Sequence, residues 1–185
     1  MFEKLLARID AALSECGLPY MIIGCQAVLL YGEPRFTRDI DVTLGSGPNR
    51  LEDLLGAVSD LGLVVLPEDA NDFVAETMVL PTLDEGSGIR VDFIFSLTPY
   101  EKEAISRATN VDIGGRQVAF ASVEDLIIHK IFAGRPRDLE DVRSVILKNR
   151  SIDMKYIQAW LERFDEGEDA TNYVETFKKV LEDIQ

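Results

Sequence analysis

Several residue types that mark specialised protein classes are scarce in this chain of 185 residues. It contains two cysteines, Cys16 and Cys25, which are too few for a disulfide scaffold and lack the spacing of metal ligands. No stretch approaches the roughly 18 consecutive apolar residues that span a bilayer. The N-terminus mixes charges into its apolar residues, unlike the core of a secretory signal. We therefore expect a reduced, cytoplasmic protein that has no membrane partner.

Basic residues are also few, because 19 Lys and Arg stand against 33 Asp and Glu and give a net charge of −14. This balance argues against charge-driven binding to nucleic acid or to an anionic membrane, where phosphate neutralisation supplies much of the affinity. A small phosphate ligand stays compatible, since a local group of Lys, Arg and divalent metal can hold it. The hydrophobic fraction of 46% is sufficient for a globular core.

Hydrophobic periodicity predicts an α+β fold: a mixed β-sheet with flanking helices, followed by a helical C-terminal part. We predict the boundary at 121/122, with an α/β core over 1–121 and a helical subdomain over 122–185. The predicted strands are Tyr20–Ile23, Asp39–Leu44, 63–66, Phe73–Leu80, Ile89–Phe95 and a hairpin over Val111–Phe120. The predicted helices are 3–15, Leu51–Leu61, Pro99–Arg107 and four that follow Ser122, the last from Ala170. Residues 25–31 form either a helical turn or a short helix.

Two acids lie on one face of a strand whose other face is apolar. Asp39 and Asp41 share one strand face, where paired carboxylates can grip a divalent cation, although such a pattern alone is more often a solvated face. Asp92 lies in the later strand Ile89–Phe95. If the two strands are neighbours, three carboxylates meet and can hold two metal ions, as in nucleotidyl transfer. Otherwise Asp92 is a hydrogen-bonded strand acid or a partner for Arg90.

The first helix after Ser122 carries a charge where apolar residues are expected. Lys130 falls near the middle of its apolar stripe, so it either lines a cleft and reaches a phosphate or extends along the helix C-terminus towards water. Asp138 borders the buried face of the next helix, where an acid is also favoured by the helix dipole. His129, the single histidine, lies off the stripe and is predicted to be a surface residue without a catalytic role.

Two runs of sequence resemble the nucleotidyltransferase superfamily, whose fold is shared with polymerase beta. The first is IIGCQAVLLYGEPRFTRDIDVTL at 22–44, and the second is SVEDLIIHKIFAGRPRDLEDV at 122–142, with IRVDFIF between them. The second run is similar to the AbiEii-like, minimal bacterial branch. The resemblance implies that 1–121 is the nucleotidyltransferase core and that the helical subdomain over 122–185 completes a nucleotide cleft. The resemblance implies that Asp39, Asp41 and Asp92 are the catalytic, metal-binding acids, and that Asp92 helps to activate an attacking hydroxyl.

The same resemblance implies a set of nucleotide-binding residues. Gly24 and Cys25 would line the triphosphate turn with Arg38 nearby, Lys130 would contact phosphate, and Asp138 would orient Lys130 or the nucleotide. The turn usually reads Gly-Gly or Gly-Ser, whereas this chain has Gly-Cys. A thiol is a weak hydrogen-bonding group for phosphate, so backbone N–H groups would serve instead.

The implied activity is transfer of a nucleoside monophosphate from a nucleoside triphosphate such as ATP, with two Mg²⁺ ions, or Mn²⁺ in their place. The acceptor is open between RNA, a protein and a small molecule. The branch includes toxins, so a toxin-like role with an antitoxin-type protein partner is a further expectation. The alternative is a nucleotide-binding or protein-interaction module that keeps the fold with weak or lost turnover.

Overall fold

The computed structural model of the protein describes residues 1–167 and 172–184. The chain forms two compact units, one from Met1–Gln26 with Phe36–Ala121 and the other from Ala27–Arg35 with Ser122–Gln185. The strands are β1 Tyr20–Ile23, β2 Asp39–Leu44, β3 Val64–Val65, β4 Val79–Asp84, β5 Ile89–Phe95, β6 Thr109–Ile113 and β7 Arg116–Phe120. The helices are α1 Phe2–Glu15, α2 Gly24–Tyr31, α3 Leu51–Asp60, α4 Ala70–Thr77, α5 Pro99–Ser106, α6 Val123–Ala133, α7 Pro136–Lys148, α8 Met154–Asp165 and α9 Tyr173–Glu182.

The first unit contains one mixed sheet. Its seven described strands run in the order β3-β4-β5-β2-β1-β7-β6. Strand β2 pairs in parallel with β5 and antiparallel with β1, and β1 pairs in parallel with β7. The prediction of a mixed sheet with flanking helices and C-terminal helices is confirmed, and the two acid-bearing strands are direct neighbours.

Alternation along β2 and β5 fixes which side chains reach the polar face of the sheet. Ile40, Val42, Val91 and Phe93 are fully buried at 0% exposure, whereas Asp39 and Arg90 are exposed. Because strand side chains alternate between faces, burial of the apolar set places the acids and Arg90 on the opposite face.

The predicted strand over Phe73–Leu80 is wrong. The segment is helix α4 up to Thr77, and β4 begins only at Val79. Asp69 caps the helix, since its side chain accepts a hydrogen bond from the backbone N–H of Asp72 at 3.0 Å. Met78 ends it in the left-handed conformation with φ of 60°. A run of apolar residues crosses this junction, so periodicity alone does not separate the two elements.

The second unit contains α6 to α9 and the segment 27–35. Ser122 caps α6 by accepting a hydrogen bond from the backbone N–H of Asp125, and Gly134 ends the helix. The structure groups residues 27–35 with these helices, and the division of the chain into two functional domains stays a prediction. The predicted helix start at Ala170 lies outside the described residues. No helix in ranges 1–167 and 172–184 is long and apolar enough to cross a membrane.

Candidate functional site

The polar face of the sheet carries three acids on two neighbouring strands. Asp41 of β2 and Asp92 of β5 are register partners in the parallel ladder, and Asp39 is the partner of Arg90. Neighbouring strands lie about 4.8 Å apart, and partnered residues point to the same face. The three acids therefore lie in two adjacent rows of one face, as the sequence predicts for them if β2 and β5 are neighbours.

Gly24 lies directly against one of these acids. It follows strand β1, begins helix α2 and has a φ of +63°, the left-handed region that glycine enters without cost. A Cβ placed on Gly24 would overlap the Oδ2 atom of Asp41. Strand register explains why Asp41 lies so close to Gly24. Asp41 is the partner of Ile23, the last residue of β1, and Gly24 follows it directly. The glycine is therefore needed both for the backbone turn and for the position of the Asp41 carboxylate.

Arg90 supplies the positive charge beside the acids. Its Nε donates to Oδ1 of Asp92 at 2.7 Å, and its side chain is 52% exposed. This hydrogen bond is the main cause that raises the pKa of Arg90, and the charges of Asp92, Asp41 and Asp39 add to it. All three acids thus act on one guanidinium. The pairing of Asp92 with Arg90 that the sequence leaves open is observed.

The acids carry the right donor atoms for a divalent metal. Carboxylate oxygens are the ligands that Mg²⁺ and Mn²⁺ prefer, and three such groups on two adjacent rows suit them. The Asp39 carboxylate accepts a hydrogen bond from the Thr37 hydroxyl, and Asp92 accepts from Arg90. Across residues 1–167 and 172–184, no three His, Cys, Asp or Glu side chains are grouped closely enough to hold a metal ion. Metal binding by all three acids therefore requires their carboxylates to move closer together than they are in this structure.

The remaining predicted nucleotide residues of the first unit differ in exposure. Cys25 is buried at 6%, in the first turn of α2. Arg38 is exposed, and its guanidinium lies 5.6 Å from the centroid of the Phe36 ring, within reach of a cation–π interaction. Phe36 is itself 78% exposed. An exposed arginine next to an exposed aromatic ring can contact a ligand, whereas the Cys25 thiol is largely enclosed.

A buried group of charges occupies the second unit. Lys130 Nζ lies 2.6 Å from Asp138 Oδ1 and 2.9 Å from Asp141 Oδ2, and Arg35 Nη2 lies 3.1 Å from the same Asp141 atom. The Lys130, Asp138 and Asp141 side chains are each at most 9% exposed. The ammonium group is therefore enclosed by carboxylates within its own unit. We refer to these four residues as the Lys130 cluster.

Sequence reasoning did not find Asp141 as a partner of Lys130. The signal was available, because Asp138 and Asp141 are three residues apart and share a face of α7 with the buried Val142 and Val145. Two acids on a buried helix face require a cation. What the sequence does not show is that the segment containing Arg35 also reaches Asp141.

His129 is half-buried, and so less exposed than the predicted surface residue. Its Nε2 atom is buried, and burial together with the charge of Lys130 lowers the pKa of His129 to about 4. The residue lies off the apolar stripe of α6, but α6 is covered on more than one side, so that its residues from Glu124 to Ile128 are all buried. The imidazole is therefore neutral at pH 7, and it is half-buried with its Nε2 atom enclosed.

Several solved structures share the fold of this chain. One is the crystal structure of ANT(2")-Ia in complex with adenylyl-2"-tobramycin, with 22% identity, 88% of this chain and 98% of that chain covered, and a TM-score of 0.58. A second is the antigenic nucleotidyltransferase-like protein from Paracoccidioides brasiliensis, with 16% identity, 95% and 91% coverage and a TM-score of 0.56. A third is the lincosamide antibiotic adenylyltransferase LnuA bound to lincomycin, with 15% identity, 79% and 97% coverage and a TM-score of 0.56.

These identities are low enough that the likeness concerns the fold alone. No curated protein sequence matches the chain. A family profile does match, over residues 3–182, and it is described as a nucleotidyltransferase of unknown function, DUF6036. The match does not single out the AbiEii-like branch, which stays a prediction. Because the profile spans nearly the entire length, the chain belongs to this nucleotidyltransferase family.

Proposed function

We propose that the protein transfers a nucleoside monophosphate from a nucleoside triphosphate, such as ATP, to a hydroxyl group of an acceptor and releases pyrophosphate. The observation that carries this proposal is the pairing of Asp41 and Asp92 across neighbouring strands, with Asp39 on the same face. Three carboxylates on one open sheet face repel one another unless cations join them, which supports a site for a metal-bound triphosphate.

In the proposed reaction, the acceptor oxygen forms a bond to the α-phosphorus while the bond from that phosphorus to the pyrophosphate oxygen breaks. Asp92 accepts the proton of the attacking hydroxyl. Asp39, Asp41 and Asp92 would hold Mg²⁺, or Mn²⁺, which when bound stabilises charge on the entering and leaving oxygens. The protein's own contribution is to orient the hydroxyl and the triphosphate, which can supply much of the rate.

The triphosphate contacts in the first unit are proposed for the turn at Gly24 and Cys25 and for Arg38. Gly24 has a positive φ and begins α2, where backbone N–H groups are available to a phosphate. The exposed guanidinium of Arg38 can pair with phosphate oxygens. The buried Cys25 thiol makes its backbone N–H the better candidate group.

Lys130 and Asp138 stay predictions that rest on the family resemblance. Their ion pair of 2.6 Å supports a role in which Asp138 positions the lysine. The net neutrality of the Lys130 cluster, two cations with two acids, explains how these charges are accommodated in the interior.

We propose a small molecule as the acceptor. The net charge of −14 opposes RNA, and two of the structures with this fold carry small molecules, adenylyl-2"-tobramycin and lincomycin. An antitoxin-type protein partner stays a prediction. The alternative function, a binding module with weak or lost turnover, is favoured by one observation: Arg90 occupies Asp92 with a hydrogen bond of 2.7 Å.

Thermal stability with and without MgATP tests the site. We expect MgATP to raise Tm for the wild type and not for Asp41→Asn, because that substitution removes a metal ligand. Asp60→Asn, an exposed acid at the end of α3, is the matched control and should respond as the wild type does.

Pyrophosphate release separates transfer from binding. Tobramycin, lincomycin and a small-molecule extract, each incubated with labelled ATP, would identify an acceptor by the label it acquires. A Tm shift without pyrophosphate release from any acceptor would favour the binding module. The absence of any response to metal or nucleotide, in a folded wild type, would contradict both functions.

A further inference from the structure

An open groove of about 530 Å³ lies in the first unit beside the acids. Its walls come from α4, the loop before it, and strands β4 and β5. Leu66, Phe73 and Pro81 give it an apolar floor, and Leu66 and Phe73 are 45% and 37% exposed. We call this feature the α4 groove. Its volume is within the range of about 300–1,000 Å³ that small-molecule sites occupy.

Sheet register places the α4 groove next to the acids. Pro81 of β4 is the antiparallel partner of Asp92, and Asp92 is the parallel partner of Asp41. The three residues form one row across the sheet and point to the same face. With strands about 4.8 Å apart, the groove wall at Pro81 is one strand from Asp92. Arg90, which lines the groove, donates directly to Asp92.

The rim of the α4 groove is strongly acidic. Glu68, Asp69, Asp72 and Glu76 line it, and Arg90 is the one basic residue among the lining residues described. The four acids form no salt bridge within ranges 1–167 and 172–184. Asp69 and Asp72 lie at the start of α4, where the helix dipole favours acids. This effect does not explain why Glu68 and Glu76 are acidic. This rim repels a phosphate-bearing ligand and attracts a cation.

We propose that the α4 groove binds the acceptor, and that the acceptor is a cationic polyhydroxy compound, such as an amine-bearing sugar. The acidic rim would hold its ammonium groups, the Phe73 and Pro81 surfaces would contact its carbon face, and the row to Asp92 would bring a hydroxyl to the acids. The assignment rests on the proposed nucleotidyl transfer. It excludes nucleic acid, phosphorylated sugars and neutral polyols as preferred acceptors.

A matched pair of probes tests the charge requirement. The trimer of glucosamine carries three amines, and the trimer of N-acetylglucosamine has the same backbone without charge. Calorimetric titration of the full chain, without metal or nucleotide, should show binding of the charged trimer at least about tenfold tighter than that of the acetylated trimer. Raising the salt concentration should weaken the charged trimer selectively.

Paired variants locate the binding. Glu68→Gln with Glu76→Gln should weaken the charged trimer about tenfold. Glu15→Gln with Glu103→Gln removes the same two charges from exposed positions outside the groove and should leave affinity unchanged. All four side chains are exposed, so neither pair should alter Tm by more than about 2 °C. The proposal would be overturned if the two trimers bound with equal affinity or if neither bound. It would also be overturned if both variant pairs lost the same amount of affinity for the charged trimer.

Titration with MgATP separates this proposal from the transferase proposal. If MgATP binds and pyrophosphate is released with another acceptor while the charged trimer fails to bind, the groove assignment alone is overturned. If the charged trimer binds and depends on Glu68 and Glu76 while MgATP fails to bind, the cation site stands and the transfer reaction is overturned.

Discussion

The carboxylate of Asp41 lies where the first side-chain atom of residue 24 would be. Gly24 has a φ of +63° and no room for a Cβ, because the Oδ2 atom of Asp41 already occupies that space. The turn that ends β1 and the proposed metal-ligand position on β2 are therefore mutually dependent, and one substitution should alter both.

We predict that Gly24→Ala lowers the free energy of unfolding by more than Gly17→Ala does. Gly17 has nearly the same φ, +60°, and nothing lies within 4 Å of its Cβ position. Gly17→Ala therefore measures the cost of backbone strain alone, roughly 1–2 kcal/mol. Gly24→Ala adds displacement of Asp41 and should also abolish the Tm shift with MgATP. Urea denaturation and thermal shift measure the two effects. Equal destabilisation with an intact MgATP response would contradict the dependence.

Arg90 should compete with metal ions for Asp92. Their hydrogen bond of 2.7 Å uses Oδ1 of Asp92, so an ion that binds this oxygen competes with the guanidinium. We predict that Arg90→Gln binds Mn²⁺ up to about fivefold more tightly in the absence of nucleotide, a modest gain because the arginine is half exposed. Electron paramagnetic resonance of free Mn²⁺ gives the affinity directly. Lys102→Gln, an exposed cation on α5, is the control, and weaker Mn²⁺ binding by Arg90→Gln would refute competition.

Alternation in the sequence is sufficient to predict the acid face. Ile40 and Val42 alternate with Asp39 and Asp41, and the strand with Asp92 follows the same rule, so the polar and apolar faces of both strands follow from residue order alone. Which strands are neighbours does not follow in this way. The sequence therefore leaves open whether Asp92 joins the acids or pairs with Arg90, and the structure has Asp92 in both relationships.

Other features depend on tertiary contacts that local pattern does not record. The segment from Phe73 is apolar enough for a strand, but capping by Asp69 and the turn at Met78 make it a helix. That error also concealed the α4 groove, since its wall is this helix. Arg35 and Asp141 are 106 residues apart in sequence, so their ion pair has no local signature.

The Lys130 cluster should be essential to the stability of the second unit. Lys130→Met removes the cation that contacts both Asp138 and Asp141 and leaves two buried acids with Arg35 alone. We predict a loss of about 3–5 kcal/mol in the free energy of unfolding. The double variant Lys130→Met with Asp138→Asn should recover part of this loss, because it removes one uncompensated charge. No recovery in urea denaturation would indicate that lost packing, rather than charge, dominates.

His129 should make the protein less stable in mild acid. Its pKa in the folded state is lowered to about 4 from an ordinary value near 6.5, so the unfolded chain binds the extra proton first. The neutral His129 therefore makes its full contribution to the free energy of unfolding above about pH 6.5. As the pH falls towards 4, this contribution, on the order of 3 kcal/mol, is lost. Urea denaturation of the wild type and His129→Gln across this range should give a smaller dependence for the variant. If the free energy of unfolding changed with pH by the same amount in both proteins, burial of the neutral imidazole would be contradicted.

The path of the chain between residues 27 and 35 limits where the chain can be truncated. The Asn149 side chain donates to the carbonyl of Tyr31 at 2.8 Å, Lys148 donates to that of Gly32 at 3.1 Å, and Val28 is fully buried. A fragment that stops at Ala121 keeps this segment and loses the helices that cover it. Truncation after Ala121 would therefore yield an aggregation-prone polypeptide rather than an independently folded domain.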